Sequence, residues 1–171
     1  MGTIISSSTP TKIKTFFKAA NFTPYAGTTS ERVTGSVLIP AGTVNSIGIG
    51  VENVIEITAR AIKTGVVGTL AVRIYANSTD ELSGAILLGT FVGGATDIFL
   101  QLSRTLFIGK DATKVFSPSA IAPASDDTRS TAAEVNEAVD WGSDQYIILS
   151  IQNAAAGDSS VGSGIMVKTY Q

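Results

Sequence analysis

Cysteine and histidine are both absent from the 171 residues. Without cysteine there is no disulfide framework, no thiolate nucleophile and no Cys-based zinc site. Without histidine the Ser-His-Asp and Cys-His arrangements are excluded, and with them the commonest general base. Charge is also scarce. Charged residues make up 15 % of the chain, 12 Lys and Arg against 14 Asp and Glu, for a net charge of −2, where an average domain carries about 25 %. Its surface must therefore be neutral and polar, covered by Ser, Thr, Asn and Gln. The densest basic group is Lys12, Lys14 and Lys18, which is too sparse for the clustered patch that phosphate neutralisation needs, so nucleic acid is not an expected partner. No apolar run reaches the ~18 residues that cross a bilayer, and no membrane partner is expected. Met1–Pro10 lacks the basic region and apolar core of a secretory signal.

What remains is a hydrophobic fraction of 44 %, arranged with period two almost everywhere. The length fits one domain, able to bury roughly 70 % of the surface of its unfolded chain. Residues 1–10 read as an N-terminal arm and residues 11–171 as a single sandwich domain, with a long inserted loop at 117–140.

Strands are expected at Thr11–Lys18, Arg32–Ile39, Ile47–Val51, Asn53–Ile62, Thr69–Ala76, Ala85–Phe91, Asp97–Ile108, Val115–Ser117, Gln145–Gln152 and Ile165–Tyr170. Ile55, Ile57, Ala59 and Ala61 share one face of their strand. Leu70, Val72 and Ile74 do the same in theirs, and the Thr64-Gly65 turn signal suggests that these two strands form an antiparallel pair. Leu100, Leu102, Leu106 and Ile108 are in phase. Arg104 shares that phase, which suggests a bend or the end of the buried stretch. Ile57, Leu70, Val72, Ile74, Ile147 and Leu149 are expected in the core. Asn153–Ser163 is Gly-, Ser- and Ala-rich and reads as a loop. Thr131 and Glu134 have capping-box spacing, so Ala132–Ala138 is expected to make one or two helical turns. The fold class that follows is all-β: a two-sheet antiparallel β-sandwich of jelly-roll type with about eight to ten strands and at most one short helix. A closed barrel is the alternative.

The motifs that might carry chemistry are few. Asp80 and Glu81 share one loop, Asp126 and Asp127 another, and Asp140 and Asp144 flank Trp141. Adjacent acids in loops are usually solvated turn formers. A calcium site built from two such loops is the competing reading, but no spacing matches an EF-hand. No carboxylate pair is placed for glycoside hydrolysis. Gly48 and Gly50, like Gly93 and Gly94, lack the GK[ST] sequence and following helix of a phosphate cradle. The pattern Gly2…Ser6 matches a myristoylation motif, and Asn21-Phe22-Thr23 and Asn77-Ser78-Thr79 match glycosylation sequons. Each is a short pattern that arises by chance in a Ser/Thr-rich chain. Arg60 and Arg73 sit on polar strand faces, where Glu56 or a cross-strand partner would hold them. Trp141, just before a strong strand, reads as a core plug or as an exposed anchor for a sugar or an interface. No enzyme, cofactor or metal follows from these residues.

The run Ile57-Thr58-Ala59-Arg60 through Thr69-Leu70-Ala71-Val72-Arg73-Ile74-Tyr75-Ala76-Asn77 resembles tailed-bacteriophage virion proteins with a β-sandwich domain. Ala85-Ile86-Leu87-Leu88-Gly89-Thr90, Val139-Asp140-Trp141 and Tyr146 through Asn153 are similar to them in the same way, so the likeness runs from about Val54 to Tyr170. It is one of texture, without a diagnostic motif. It implies a capsid decoration (cement) protein, a head fibre or a tail-attached module, located on the virion surface. It also implies a homo-oligomer, often a trimer, bound to other virion proteins such as the major capsid protein. The contact residues expected on this reading are Ile4 and Ile5 in the arm, Asp126 and Asp127 in the long loop, and Trp141. A carbohydrate- or receptor-binding module, with a glycan as ligand, is the competing function.

Overall fold

A computed structural model describes residues 13–18, 23–44, 53–108, 114–117 and 135–170. Every regular element among them is a strand: β1 (Ile13–Lys18), β2 (Tyr25–Ala26), β3 (Arg32–Ile39), β4 (Asn53–Thr64), β5 (Leu70–Asn77), β6 (Ile86–Gly93), β7 (Phe99–Ile108), β8 (Lys114–Ser117), β9 (Val135–Ala138), β10 (Gln145–Asn153) and β11 (Ser159–Tyr170). Alternation is the cause, because side chains two apart share a face of a pleated strand. On β4, Ile55, Ile57, Ala59, Ala61 and Lys63 are buried, while Arg60 and Ile62 between them are exposed.

One sheet runs β1-β11-β4-β7-β8-β9, with β2 also paired to β11, and the other runs β3-β10-β5-β6. All pairings are antiparallel. With the short strands β2, β8 and β9 set aside, eight strands remain. They interleave as two four-stranded sheets, β1-β11-β4-β7 facing β3-β10-β5-β6, with the first and last strands as neighbours. That is the jelly roll. Open sheet orders distinguish it from a closed barrel. The three short strands carry the number of strands past the eight of the jelly roll itself.

The core lies between the inner faces. Ile55, Ile57, Leu100, Leu102, Leu106, Ile165 and Val167 of one sheet meet Ile39, Leu70, Val72, Ile74, Ile147, Leu149 and Ile151 of the other. All six residues expected in the core from the sequence are there, each at most 1 % exposed.

Four local readings of the sequence are corrected. β4 and β5 are not a pair: β4 lies between β11 and β7, and β5 between β10 and β6 in the facing sheet. Period two tells which face of a strand is buried and nothing about which strand lies beside it. The link after Thr64 crosses from one sheet to the other. Arg104 neither bends nor ends β7. It is buried in the core phase, and its side chain lies against Gly89 of the facing sheet, where a Cβ would come 2.5 Å from Nε. A glycine there makes room for a guanidinium between the sheets. Val135–Ala138 is a strand paired to β8, not part of a helix over Ala132–Ala138. A single helical turn closes few internal bonds, whereas the ladder satisfies four residues at once. The segment expected as a loop at Asn153–Ser163 shrinks to 154–158, and β11 begins at Ser159. Its small residues admit a close approach of the sheets: a Cβ on Gly162 would lie 2.2 Å from Thr34 Oγ1 of β3. The strand expected at Ile47–Val51 and most of the loop at 117–140 lie outside the described residues.

Replacing Ile57 by Ala should lower the free energy of unfolding by about 2–5 kcal/mol, the cost of a buried cavity. Ile13→Ala, at a site exposed in the single chain, should stay within about 0.5 kcal/mol of the parent when measured in dilute solution. Urea unfolding of the two variants checks this contrast, and similar losses in both would mean that the inner and outer faces are exchanged.

Candidate functional site

Of the contact residues expected from the sequence, the structure describes Trp141 alone. Ile4, Ile5, Asp126 and Asp127 lie outside the described residues. Trp141 is a core plug, only 2 % exposed, and its Nε1 has no hydrogen-bond partner. It offers no ring to a sugar. Of the acids beside it, Asp140 forms a turn, accepting from the Gly142 amide (3.0 Å) and the Ser143 hydroxyl (2.8 Å), and Asp144 ties in the turn after β3 by accepting from the Ala41 amide (2.7 Å). Among the described residues no cluster of three or more acidic residues could hold a metal ion, and no helix is long and apolar enough to cross a membrane.

The arginines have the cross-strand partners expected of polar strand faces. Arg60 Nε donates to Gln101 Oε1 directly opposite (2.9 Å). Arg73 pairs with Glu31 (3.1 Å) and donates to Gln152 (2.8 Å). Glu31 is the hub of this network on the outer face of the four-stranded sheet, because it also accepts from Tyr75 (2.9 Å) and Ser150 (2.5 Å). Partial burial, and next the bond to Glu31 and its negative charge, push the Tyr75 hydroxyl up to about 12 against the opposing pull of Arg73. These polar groups satisfy one another and present no reactive pair.

A second feature has no counterpart in the sequence analysis. Lys63 follows the inward phase of β4, so its side chain enters one end of the sandwich, where both it and Asp158 are fully buried and 3.9 Å apart. The ammonium donates to the carbonyls of Gly68, Ala95 and, at 3.4 Å, Gly94. Asp158 accepts from the amides of Val67 (3.1 Å) and Gly68 (2.7 Å). The loop between β2 and β3 joins the same end, with Gly27 donating to Ala156 and the Asn153 amide to Tyr25. Three loops of the jelly roll are thus tied to one buried ion pair, and the β2–β3 loop is bonded to one of the three. The Val67 amide is the main cause that holds the Asp158 carboxyl below its ordinary value. The Gly68 amide and the Lys63 charge add to it, and burial opposes. Gly65 is required here: its φ is +101°, and a Cβ would meet Asp158 Oδ1 at 2.3 Å.

The outside of this end is apolar. Val66, Val67, Ile98, Phe99 and Ile62 are between 44 and 72 % exposed. Ile62 and Phe99 are cross-strand partners, and Lys63 N bonds Ile98 O (2.8 Å), so these three adjoin, while Val66 and Val67 lie on the loop that follows β4. A buried ion pair therefore supports an exposed apolar tip. Two of its parts were in reach of the sequence: Val66-Val67 interrupts a turn, and Lys63 keeps the phase of Ala59 and Ala61. The carboxylate that meets Lys63 comes from nearly a hundred residues away and left no local signal.

Fold and site define a jelly-roll β-sandwich with exposed apolar side chains at the end that holds its buried ion pair. No protein-family model, no curated protein and no solved structure matches the chain.

Because the Asp158 carboxyl titrates below its ordinary value of 3.8, the stability it contributes is present above that value and is lost as pH falls through the lower folded value. Asp158→Asn should be less stable at neutral pH and should lose less stability on acidification than the parent, as read by urea unfolding over a pH series. Ultraviolet titration of tyrosinate should show a last phase near pH 12 that Tyr75→Phe removes and Glu31→Gln moves downward.

Proposed function

We propose that the chain is a structural virion component, a capsid decoration (cement) or head-fibre protein at the surface of a phage particle, which works by self-association and attachment and not by catalysis. Its partners on this reading are further copies of itself and other virion proteins such as the major capsid protein. The observation that supports it most is the apolar tip. Grouped, exposed Val, Ile and Phe side chains mark protein-interaction sites. Here they are carried on strand ends, at Ile62 and Phe99, and on the adjoining loops that a buried ion pair holds in place, so little ordering entropy is lost on docking. Sparse charge suits the same use, since close-packed copies repel one another little. The likeness of sequence texture to phage β-sandwich proteins supplies the context.

A second reading, a glycan-binding module, is favoured by one groove at the opposite end of the sandwich. It has a volume of about 310 Å³, and Asn77, Ser78, Asp140, Ser143 and Gln145 give it polar walls. A glycan array tests that reading directly.

The chain should be detected by mass spectrometry in purified particles released from the strain that encodes it, and its absence from them would sink the structural proposal. Burying an apolar side chain contributes roughly 1.5–3 kcal/mol. Val66→Asp combined with Val67→Asp should therefore weaken attachment to particles at least ten-fold and leave the far-ultraviolet circular dichroism unchanged. Undiminished attachment would remove the tip from the contact.

A further inference from the structure

We propose that the outer face of the seven-stranded sheet is a two-fold contact between two copies of this chain, with β11 and β4 at its centre. The inference rests on the reading of the protein as a self-associating structural component. It concerns a different surface from the apolar tip.

The register fixes which residues lie side by side on that face. One row runs Ile13, Tyr170, Val54, Phe107 across β1, β11, β4 and β7. The next row on the same face is Thr15, Lys168, Glu56, Thr105, and the one after it Phe17, Met166, Thr58, Ser103. Ile13, Phe17 and Phe107 are exposed, Phe17 by 68 %. Tyr170, Val54 and Met166 are half-buried between them. An apolar row and an apolar corner thus flank a row that carries one charge of each sign. Tyr170 donates to Glu56 (2.8 Å), which holds the carboxylate in place at the middle of the patch. Lys168 stands directly across from Glu56, yet the ion pairs among the described residues are Lys63–Asp158 and Arg73–Glu31. The ammonium therefore has charge to offer outward.

This pattern is self-complementary in one geometry. An isologous contact requires that residue i meet residue j while j meets i. A two-fold axis parallel to the strands and midway between β11 and β4 exchanges β11 with β4 and β1 with β7. Lys168 of each copy then faces Glu56 of the other, twice. Ile13 faces Phe107, Tyr170 faces Val54, and Thr15 faces Thr105. Arg60, the other cation on the central strands, faces the stretch of β11 at Gly164, its own cross-strand neighbour, and so meets no like charge. A two-fold axis along the rows would instead set Glu56 against Glu56 and Lys168 against Lys168. The placement of opposite charges on neighbouring strands thus selects the axis. Two sheets stacked this way have nearly aligned strands, the packing that twisted sheets adopt face to face. Four strands at ~4.8 Å spacing and the length of β1 at ~3.3 Å per residue give ~380 Å² per copy in projection, or ~760 Å² in total, the size of a weak, transient contact. A contact of that size is a reversible one, formed as concentration rises.

The test is sedimentation equilibrium of the full chain from low to high micromolar concentration, with the parent expected to shift from monomer to dimer. Lys168→Glu, which sets like charges against each other at two symmetric positions, should weaken the dimer roughly ten-fold. Glu56→Lys should do the same, and the two changes together should restore association, because the swap returns opposite charges to each position. Phe107→Ser should weaken it independently. Circular dichroism confirms that each variant is folded. A protein that stays monomeric throughout, or that assembles as a trimer, would overturn the two-fold contact, as would a double variant weaker than both single ones. Attachment of particles through Val66 and Val67 is read separately. Its survival in a monomeric protein would leave the structural reading standing, and its loss together with the dimer would remove both.

Discussion

Lys63 is placed by the pleat of β4 where water does not reach, and one end of the molecule is organised around that fact. An ammonium out of water is tolerable only if its protons find acceptors and its charge a counter-charge. The carbonyls of Gly68, Gly94 and Ala95 supply the first and Asp158 the second. Asp158 is in turn satisfied by two amides of the loop that carries Val66 and Val67. Three loops from distant parts of the sequence are thereby held by one pair of charges, and two of them expose Val66, Val67 and Ile98 without collapsing onto them.

The jelly-roll path explains why the loops meet at all. Each passage from a strand of one sheet to a strand of the other returns the chain to the same two ends, so the links after β4, β6 and β10 converge although they are far apart in sequence. The same interleaving puts the first and last strands side by side with β4 beyond them, and so assembles the face on which Lys168 lies opposite Glu56. Where the sheets approach closely, glycines make the room: Gly89 for the Arg104 side chain and Gly162 for Thr34. The two outer faces differ in kind. On the four-stranded sheet, Glu31, Tyr75, Arg73 and Ser150 consume one another's hydrogen-bonding capacity. On β1, β11, β4 and β7 of the seven-stranded sheet, one apolar row, an apolar corner and an outward lysine are left over.

Much of this was legible in the sequence because it depends on neighbours in the chain. Alternation at Ile55, Ile57, Ala59 and Ala61, or at Leu70, Val72 and Ile74, requires only that a strand have one dry face. It therefore determined the all-β class, the identity of the core and most strand boundaries. The absence of histidine and cysteine closed off whole classes of chemistry without reference to any fold. Tertiary structure decided everything that depends on which strand lies beside which. It separated β4 from β5, because pairing is chosen by the fit of whole sheets and not by a short link. It made Val135–Ala138 a strand, because β8 offers a ladder that outweighs the capping-box preference for a helical turn. It buried Arg104 in phase with Leu102 and Leu106, because Gly89 leaves room across the gap. Lys63 and Asp158 are unremarkable in the sequence, one an ordinary strand lysine and the other a loop acid. Their pairing arises only when the topology brings the ends of β4 and β10 together, since a Coulomb interaction depends on distance in space and carries no trace of distance along the chain.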